Sequence, residues 1–460
     1  MDNCEGYADV LVGLQYGDEG KAKVVDALAG EYDIIARFNG GSNAGHTVVT
    51  KHSSIKLRQI PSGILHQGIT LYIGSGCAVD IVQLSKEIKE LAGIGIPLQG
   101  RLFISSRCNL VQPVHVGLDR THGHPIGTTG NGIGPCYADR ALRVQEGSRV
   151  SWQIKDMLHD TDHALEIMMM RYSNWVTDLG DATDNMLGVE HLQQGLLDGW
   201  AVVREFVVDD PLFLVNRVRA GAKVLFEGAQ SVLLDVTHGE QPFVTSSHTT
   251  PSYAFVGGDL PCKYHRKTIG VAKAIMSRVG AGPFPTELGG IHSARYCDAA
   301  ISQGKDQDFE RSSFDPIRLL NTGDDFNIGI ALRILTGEYG TGSGRPRRIG
   351  ILDVGQLSQA VALHGIDEIF LNKIDCLTHF SHTPESVIPI HFGDSPDRTI
   401  ENFLPFSISN EPLPPELLRL LQLVELKTEC KIRGIGTGQR RNDFFLFDSL
   451  STHIPSHHDS

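Results

Sequence analysis

The amino-acid sequence predicts an α/β protein with a central, mostly parallel β-sheet and long helical and loop excursions. Three observations predict it. Short apolar runs recur with helical stretches between them. The first run passes through a glycine-rich turn into a helix. The 50 glycines cluster in polar loops, which points to loops that approach phosphates or substrates closely.

The run ADVLVGL over residues 8–14 reads as a strand, Gly17 and Gly20 break it, and Lys21–Leu28 reads as a helix. Residues 34–38 form a second strand, which ends in the loop NGGSNAGHT and a further apolar run at Val48 and Val49. Strands are expected again at 71–73, 102–104, 223–226, 268–272 and 368–371. Residues 151–219 show apolar positions three and four apart with acidic residues between them, a helical excursion. Residues 289–327 are rich in Gly, Asp, Ser and Arg and read as a less regular insertion. The chain thus divides into one catalytic domain over residues 1–447 and a polar tail over 448–460.

Hydrophobic residues make up 41% and charged residues 21% of the 460, as in an ordinary globular protein with a sizeable core. The net charge of −13 argues against a chain that coats nucleic acid or an anionic membrane. No apolar run approaches the roughly 18 residues of a spanning helix, and the N-terminus is acidic where a secretory signal is basic. A cytoplasmic protein with no nucleic-acid or membrane partner is expected. The eight cysteines stand singly, without zinc-ligand or C-x-x-C spacing, and read as reduced thiols.

The segment GLQYGDEGKAK sets Gly20 and Lys21 after a tight turn and before a helix, where backbone N–H groups attract phosphate oxygens. It departs from G-x-x-x-x-G-K-[ST], because Gln15 precedes Gly20 by five and Ala22 follows Lys21. With no hydroxyl at 22, Asp18 is the candidate oxygen ligand for a hard cation. A second motif, Asn372, Lys373 and Asp375 in LNKID, follows a strand and matches the N-K-x-D pattern of guanine recognition. Its carboxylate accepts from the ring N–H and the 2-amino group, which adenine does not offer together. Alone, the loop reads equally well as a solvated turn, and the motif more often as a surface turn.

Taken with further blocks in order, the chain resembles the adenylosuccinate synthetase family over nearly its whole length. The blocks are QYGDEGKAK at 15–23, GGSNAGHT at 40–47, IPSGIL at 60–65 and IGTTGNGIGP at 126–135. FEGAQ at 226–230, VTSS at 244–247, RVGAGPFPTEL at 278–288, GSGRPRRIG at 342–350 and NKID follow. The resemblance implies a homodimeric, GTP-dependent ligase. It joins L-aspartate to IMP through a 6-phosphoryl intermediate and gives adenylosuccinate, GDP and phosphate.

It also implies roles. Asp18 is the base, His46 the acid, and Lys21 the phosphate-neutralising cation, with Mg2+ on Asp18 and the carbonyl of Gly45. Asn43, Thr129, Gln230, Thr245 and Arg345 hold IMP, joined by an arginine from the neighbouring subunit, Arg143 in preference to Arg140. Ser343, Arg345 and Arg347 hold aspartate. Gly17, Gly20, Lys21, Gly45, Thr47, Arg347, Lys373, Asp375, Gly436 and Gly438 hold GTP.

The chain departs from the family at Ala22, at Ser343 and Pro346 in the arginine loop, in a shortened stretch after Pro135, and in the long 289–327 segment. Two other readings compete. One is a phage-type synthetase that takes dGMP, in which the loop aspartate is lost, whereas Asp18 stands here. The other is an inactive GTP-binding relative; against it, the base, acid, lysine and both loop arginines are all present, and the aspartate loop would serve no purpose in a pure GTP sensor.

Overall fold

The computed structural model describes residues 5–43, 46–49, 54–122, 128–179, 188–278, 280–340, 344–393, 399–408, 413–447 and 450. The tail 448–460 lies almost wholly outside them.

Ten strands form the central sheet. In chain order they are β1 (Ala8–Gly13), β2 (Ile34–Arg37), β3 (Thr70–Ile73), β4 (Leu102–Ser105) and β5 (Val207–Val208). Then come β6 (Val224–Ser231), β7 (His265–Lys273), β8 (Glu368–Asn372), β9 (Lys431–Gly436) and β10 (Phe444–Leu446). The spatial order is β5-β4-β3-β2-β6-β1-β7-β8-β9-β10. Every neighbouring pair is parallel except β9 with β10.

Both faces of this sheet are covered. Successive strand side chains point to opposite faces. Val10 and Val12, Ile34 and Ala36, Val224 and Phe226, and Ile369 and Leu371 pack into one apolar layer. Their intervening neighbours Leu11, Ile35, Leu225 and Phe370 pack into the other. That two-sided burial explains why the strands read as continuous apolar runs rather than as alternating ones.

The helices that matter below are α1 (Lys21–Leu28), α2 (Ile133–Leu142), α3 (Thr161–Leu179), α4 (Val189–Val203), α5 (Gly290–Ala299), α6 (Gln307–Ser313), α7 (Pro316–Leu320) and α8 (Asp325–Thr336). The described residues of 151–219 are largely helical, and they also supply β5, the outermost parallel strand.

The 289–327 segment corrects the sequence reading: it is regular, folding as α5, α6, α7 and the start of α8. Three of the six aspartates that gave it a loop-like composition are helix N-caps. Asp306 accepts from the Phe309 N–H, Asp315 from those of Ile317 and Arg318, and Asp324 from that of Asn327.

In an open parallel sheet, ligands bind beyond the carboxyl ends of the strands, near the point where strand order reverses. Here that edge lies beyond β1, β2, β6, β7, β8 and β9.

Candidate active site

The loop after β1 is held from inside. The Glu19 carboxylate is fully buried, accepts from the Gly17 N–H at 2.8 Å and the Ser231 hydroxyl, and pairs with Lys21 at 2.7 Å. The Gly17 N–H also donates to Ser231 Oγ at 2.9 Å, which fixes the loop to the end of β6. Gly20 then opens α1 with φ +81, a conformation that favours glycine, and no side chain caps the helix. Uncapped N–H groups at a helix start beside a lysine form a phosphate cradle.

The guanine-type turn is bonded directly to this cradle. Asn372 Nδ2 donates to the Glu19 carbonyl at 2.7 Å and to that of Gly20 at 3.3 Å. Gly436, at the end of β9, lies so close that a Cβ there would sit 2.3 Å from Asn372 Oδ1. Lys23 donates to the carbonyl of Gly438 at 2.8 Å, which brings the 436–438 loop to α1. Asp375 Oδ1 is buried with no hydrogen-bond partner among the described residues, and burial raises its pKa. An unpaired buried acceptor is costly unless a ligand donor meets it.

Asp18 projects from the same loop at φ +57, and its side chain is 36% exposed. It pairs with Arg347 Nε at 3.2 Å. Desolvation pushes its pKa up, but Arg347, Lys273, Lys373 and Lys21 outweigh this and hold the carboxyl below the usual carboxylate range. Beneath it Lys273, fully buried at the end of β7, donates to the Asp18 carbonyl at 3.3 Å and to Ser277. Buried Glu338 pairs with both Lys273 and Lys373. Burial, reinforced by Lys273, lowers the pKa of Lys373 to about 8.

The residues expected to hold IMP gather beside this loop. Gly40 sits between Gln230 and Asn43: a Cβ there would lie 3.1 Å from Gln230 Oε1 and 3.6 Å from Asn43 Oδ1. Asn131 Nδ2 donates to the Ser42 carbonyl at 3.3 Å and to Thr129 Oγ1 at 3.2 Å, which joins Thr129 to the same loop. Thr245 is half-buried, with its N–H on the Leu234 carbonyl at 2.8 Å. Gln230 Oε1 is buried without a partner among the described residues.

Four expected residues, Asp18, Arg143, Gln230 and Lys373, belong to the eight described non-glycine residues with positive φ. Such conformations cost free energy and gather at functional sites.

Arg345 Nη2 bonds Asp298 at 3.1 Å, and the neighbouring Arg347 carbonyl accepts from Arg333 at 2.7 Å. Arg143 is exposed at the end of α2, whereas Arg140 is half-buried within the same helix. Gly45 and Ser343 lie outside the described residues. His46 and Thr47 fall on the strand His46–Val49, of which only the backbone is described.

Sequence reasoning missed Glu19, Lys273, Glu338 and Asp298. Lys273 carried a signal, a lysine ending an otherwise apolar run, and Glu19 lay inside the loop itself. Glu338 and Asp298 are distant in sequence and carried none.

A single magnesium-type ligand set fits this geometry. Among the described residues no three acidic, histidine or cysteine side chains converge. Mg2+ binds through one or two carboxylates together with substrate phosphates, and Asp18, ionised beside the phosphate cradle, suits that.

A family profile for adenylosuccinate synthetase matches residues 10–387. The chain is 53% identical over 451 residues to "Adenylosuccinate synthetase 2" of Cupriavidus pinatubonensis, covering 96% of this chain and 98% of that one. It is 34% identical over 448 residues to the adenylosuccinate synthetase of Thermus thermophilus, covering 95% and 97%. Among solved structures, a fully ligated adenylosuccinate synthetase of Plasmodium falciparum aligns at TM-score 0.78 and 27% identity, over 96% of this chain and all of that one. The succinoaminodeoxyadenylate synthetase of cyanophage S-2L, bound to dGMP and dATP, aligns at TM-score 0.58 and 18% identity over 97% of each chain, a likeness of fold.

Proposed function

This chain belongs to the adenylosuccinate synthetase family, and on that premise we propose which of its residues carry the chemistry. The enzyme is a GTP-dependent ligase that joins L-aspartate to IMP in AMP biosynthesis and releases GDP and phosphate. One observation carries the assignment. The loop holding Asp18 and Lys21 is bonded on one side to the guanine-type turn through Asn372, and on the other to the arginine loop through Arg347.

Asp18, kept ionised by its ring of cations, takes the proton from N1 of IMP. The 6-oxygen then attacks the γ-phosphorus of GTP, and the bond to the GDP oxygen breaks. Lys21 exchanges Glu19 for phosphate oxygens, and His46 stabilises the transferring group as an acid. Catalysis is then mainly positional and electrostatic. The aspartate amine attacks C6 and the 6-phosphate leaves.

Asp18 and the Gly45 carbonyl would hold Mg2+, which would supply neutralisation of phosphate charge. Asn43, Thr129, Gln230, Thr245 and Arg345 bind IMP, with Gln230 Oε1, which has no partner among the described residues, placed to accept from it. Ser343, Arg345 and Arg347 grip the aspartate carboxylates, which suits the forked guanidinium. Asp375 reads guanine, flanked by Lys373, Gly436 and Gly438. Gly17, Gly20 and Thr47 line the phosphates.

The working unit is a cytoplasmic homodimer in which Arg143 reaches the neighbour's IMP. Its exposure, and the exposed apolar Leu142 and Val144 on either side of it, favour Arg143 over Arg140. No helix among the described residues is long and apolar enough to cross a membrane.

The test is Asp18→Ala, assayed for turnover and for GTP binding. Turnover is lost while GTP binding survives in part; normal turnover would remove Asp18 as the base.

A further inference from the structure

The arginine loop meets a carboxylate that belongs to the chain itself. Arg278, Arg345, Arg347 and Arg348 line one shallow, open cleft together with Asp298. All four have partners within the fold. Arg348 pairs with Glu287, Arg347 with Asp18, and Arg278 donates to the carbonyls of Ala281 and Phe243. Among its contacts, Arg345 bonds Asp298 Oδ1 at 3.1 Å, and its Nε reaches the Cys297 carbonyl at 3.4 Å.

Asp298 sits in the last turn of α5, where the helix dipole disfavours a negative charge, and its side chain is 52% exposed. It contributes little as a structural anchor, because a surface ion pair is weak. Its headgroup is the same chemical group as the side chain of the amino-acid substrate. It also lies on the segment 289–327, which the sequence sets apart and to which the reaction assigns no role.

We propose that Asp298 competes with substrate aspartate for Arg345, and so sets the enzyme's apparent affinity for that substrate. The proposal rests on the reading of Arg345 as an aspartate-gripping residue. Substrate entry exchanges one carboxylate for another on the same guanidinium. The cost of the exchange appears in the KM for aspartate. Asp298 is therefore a specificity-determining residue that acts through Arg345, not a catalytic one.

The experiment is steady-state kinetics of Asp298→Asn with IMP and GTP saturating and aspartate varied. The isostere keeps shape and removes charge at an exposed position, so folding is preserved. The KM for aspartate is expected to fall about two- to five-fold, the range of a surface ion pair, with kcat and the KM for GTP unchanged. An unchanged or raised KM for aspartate overturns the proposal. Asp308→Asn, on the adjoining α6, controls for loss of one negative charge; an equal fall there also overturns it. Arg345→Ala separates this inference from its premise. A KM for aspartate raised at least about ten-fold upholds Arg345 as the ligand, whatever Asp298 does. An unchanged value sinks the assignment of Arg345 and the proposal with it.

Discussion

At Asp18 a left-handed backbone, a half-open side chain and four nearby cations meet at one carboxylate. The net effect is a base that stays ionised. The pH profile of kcat/KM for IMP, which reports the free enzyme, should therefore have its acid limb below the range of an ordinary carboxylate. Arg347→Leu removes the strongest of the lowering charges, so the Asp18 pKa rises and the limb moves to higher pH. A limb that stays in place would mean that another group titrates. Asp375 is the second residue with a sharp expectation. Its unpaired Oδ1 has a ligand donor to gain, so Asp375→Asn should weaken GTP about ten- to one-hundred-fold relative to other nucleoside triphosphates. An unchanged nucleotide preference in competition assays would reduce NKID to a turn. Both residues were visible in the sequence, because their motifs are local. Glu338, which ties Lys273 to Lys373, was not, because its partners lie 65 and 35 residues away along the chain.

The segment 289–327 shows how composition misleads about structural elements. Asp306 and Asp315 cap short helices at their N-termini instead of marking a loop, and helices this short show little apolar periodicity. Those helices brace the arginine loop. Glu310 of α6 pairs with Arg333 of α8 through two bonds of 2.9 and 2.8 Å, both side chains nearly inaccessible, and Arg333 holds the Arg347 carbonyl. Glu310→Gln leaves a buried guanidinium poorly compensated and should cost about 3–5 kcal/mol in chemical denaturation. A loss below about 1 kcal/mol would show that the pair is replaceable by relaxation or water. Elsewhere the expected elements were found with small changes of length. The strand expected at 223–226 continues to Ser231, because β6 carries the FEGAQ block up to the loop-anchoring serine. The two-residue β5 was illegible, since it exists only by pairing with β4 at the sheet edge.

In the whole molecule, two-sided burial made the parallel sheet readable, while its strand order was not. The order places β6 between β1 and β2, so Ser231 and Gln230 lie beside the phosphate loop despite more than 200 intervening residues. The proposed dimer has its own consequence. Arg143→Ala and Asp18→Ala should each be inactive alone, yet mixing them should restore about a quarter of the sites, those of hybrid dimers with one intact constellation. No recovery on mixing would place Arg143 in its own subunit's site or outside both. The central claim is that one loop couples GTP consumption to the joining of aspartate and IMP. The most direct measurement is phosphate release from GTP by the purified chain with magnesium, omitting IMP or aspartate in turn and replacing IMP by dGMP. Release that requires IMP and aspartate together is the predicted result; release from GTP alone, or only with dGMP, would contradict the account.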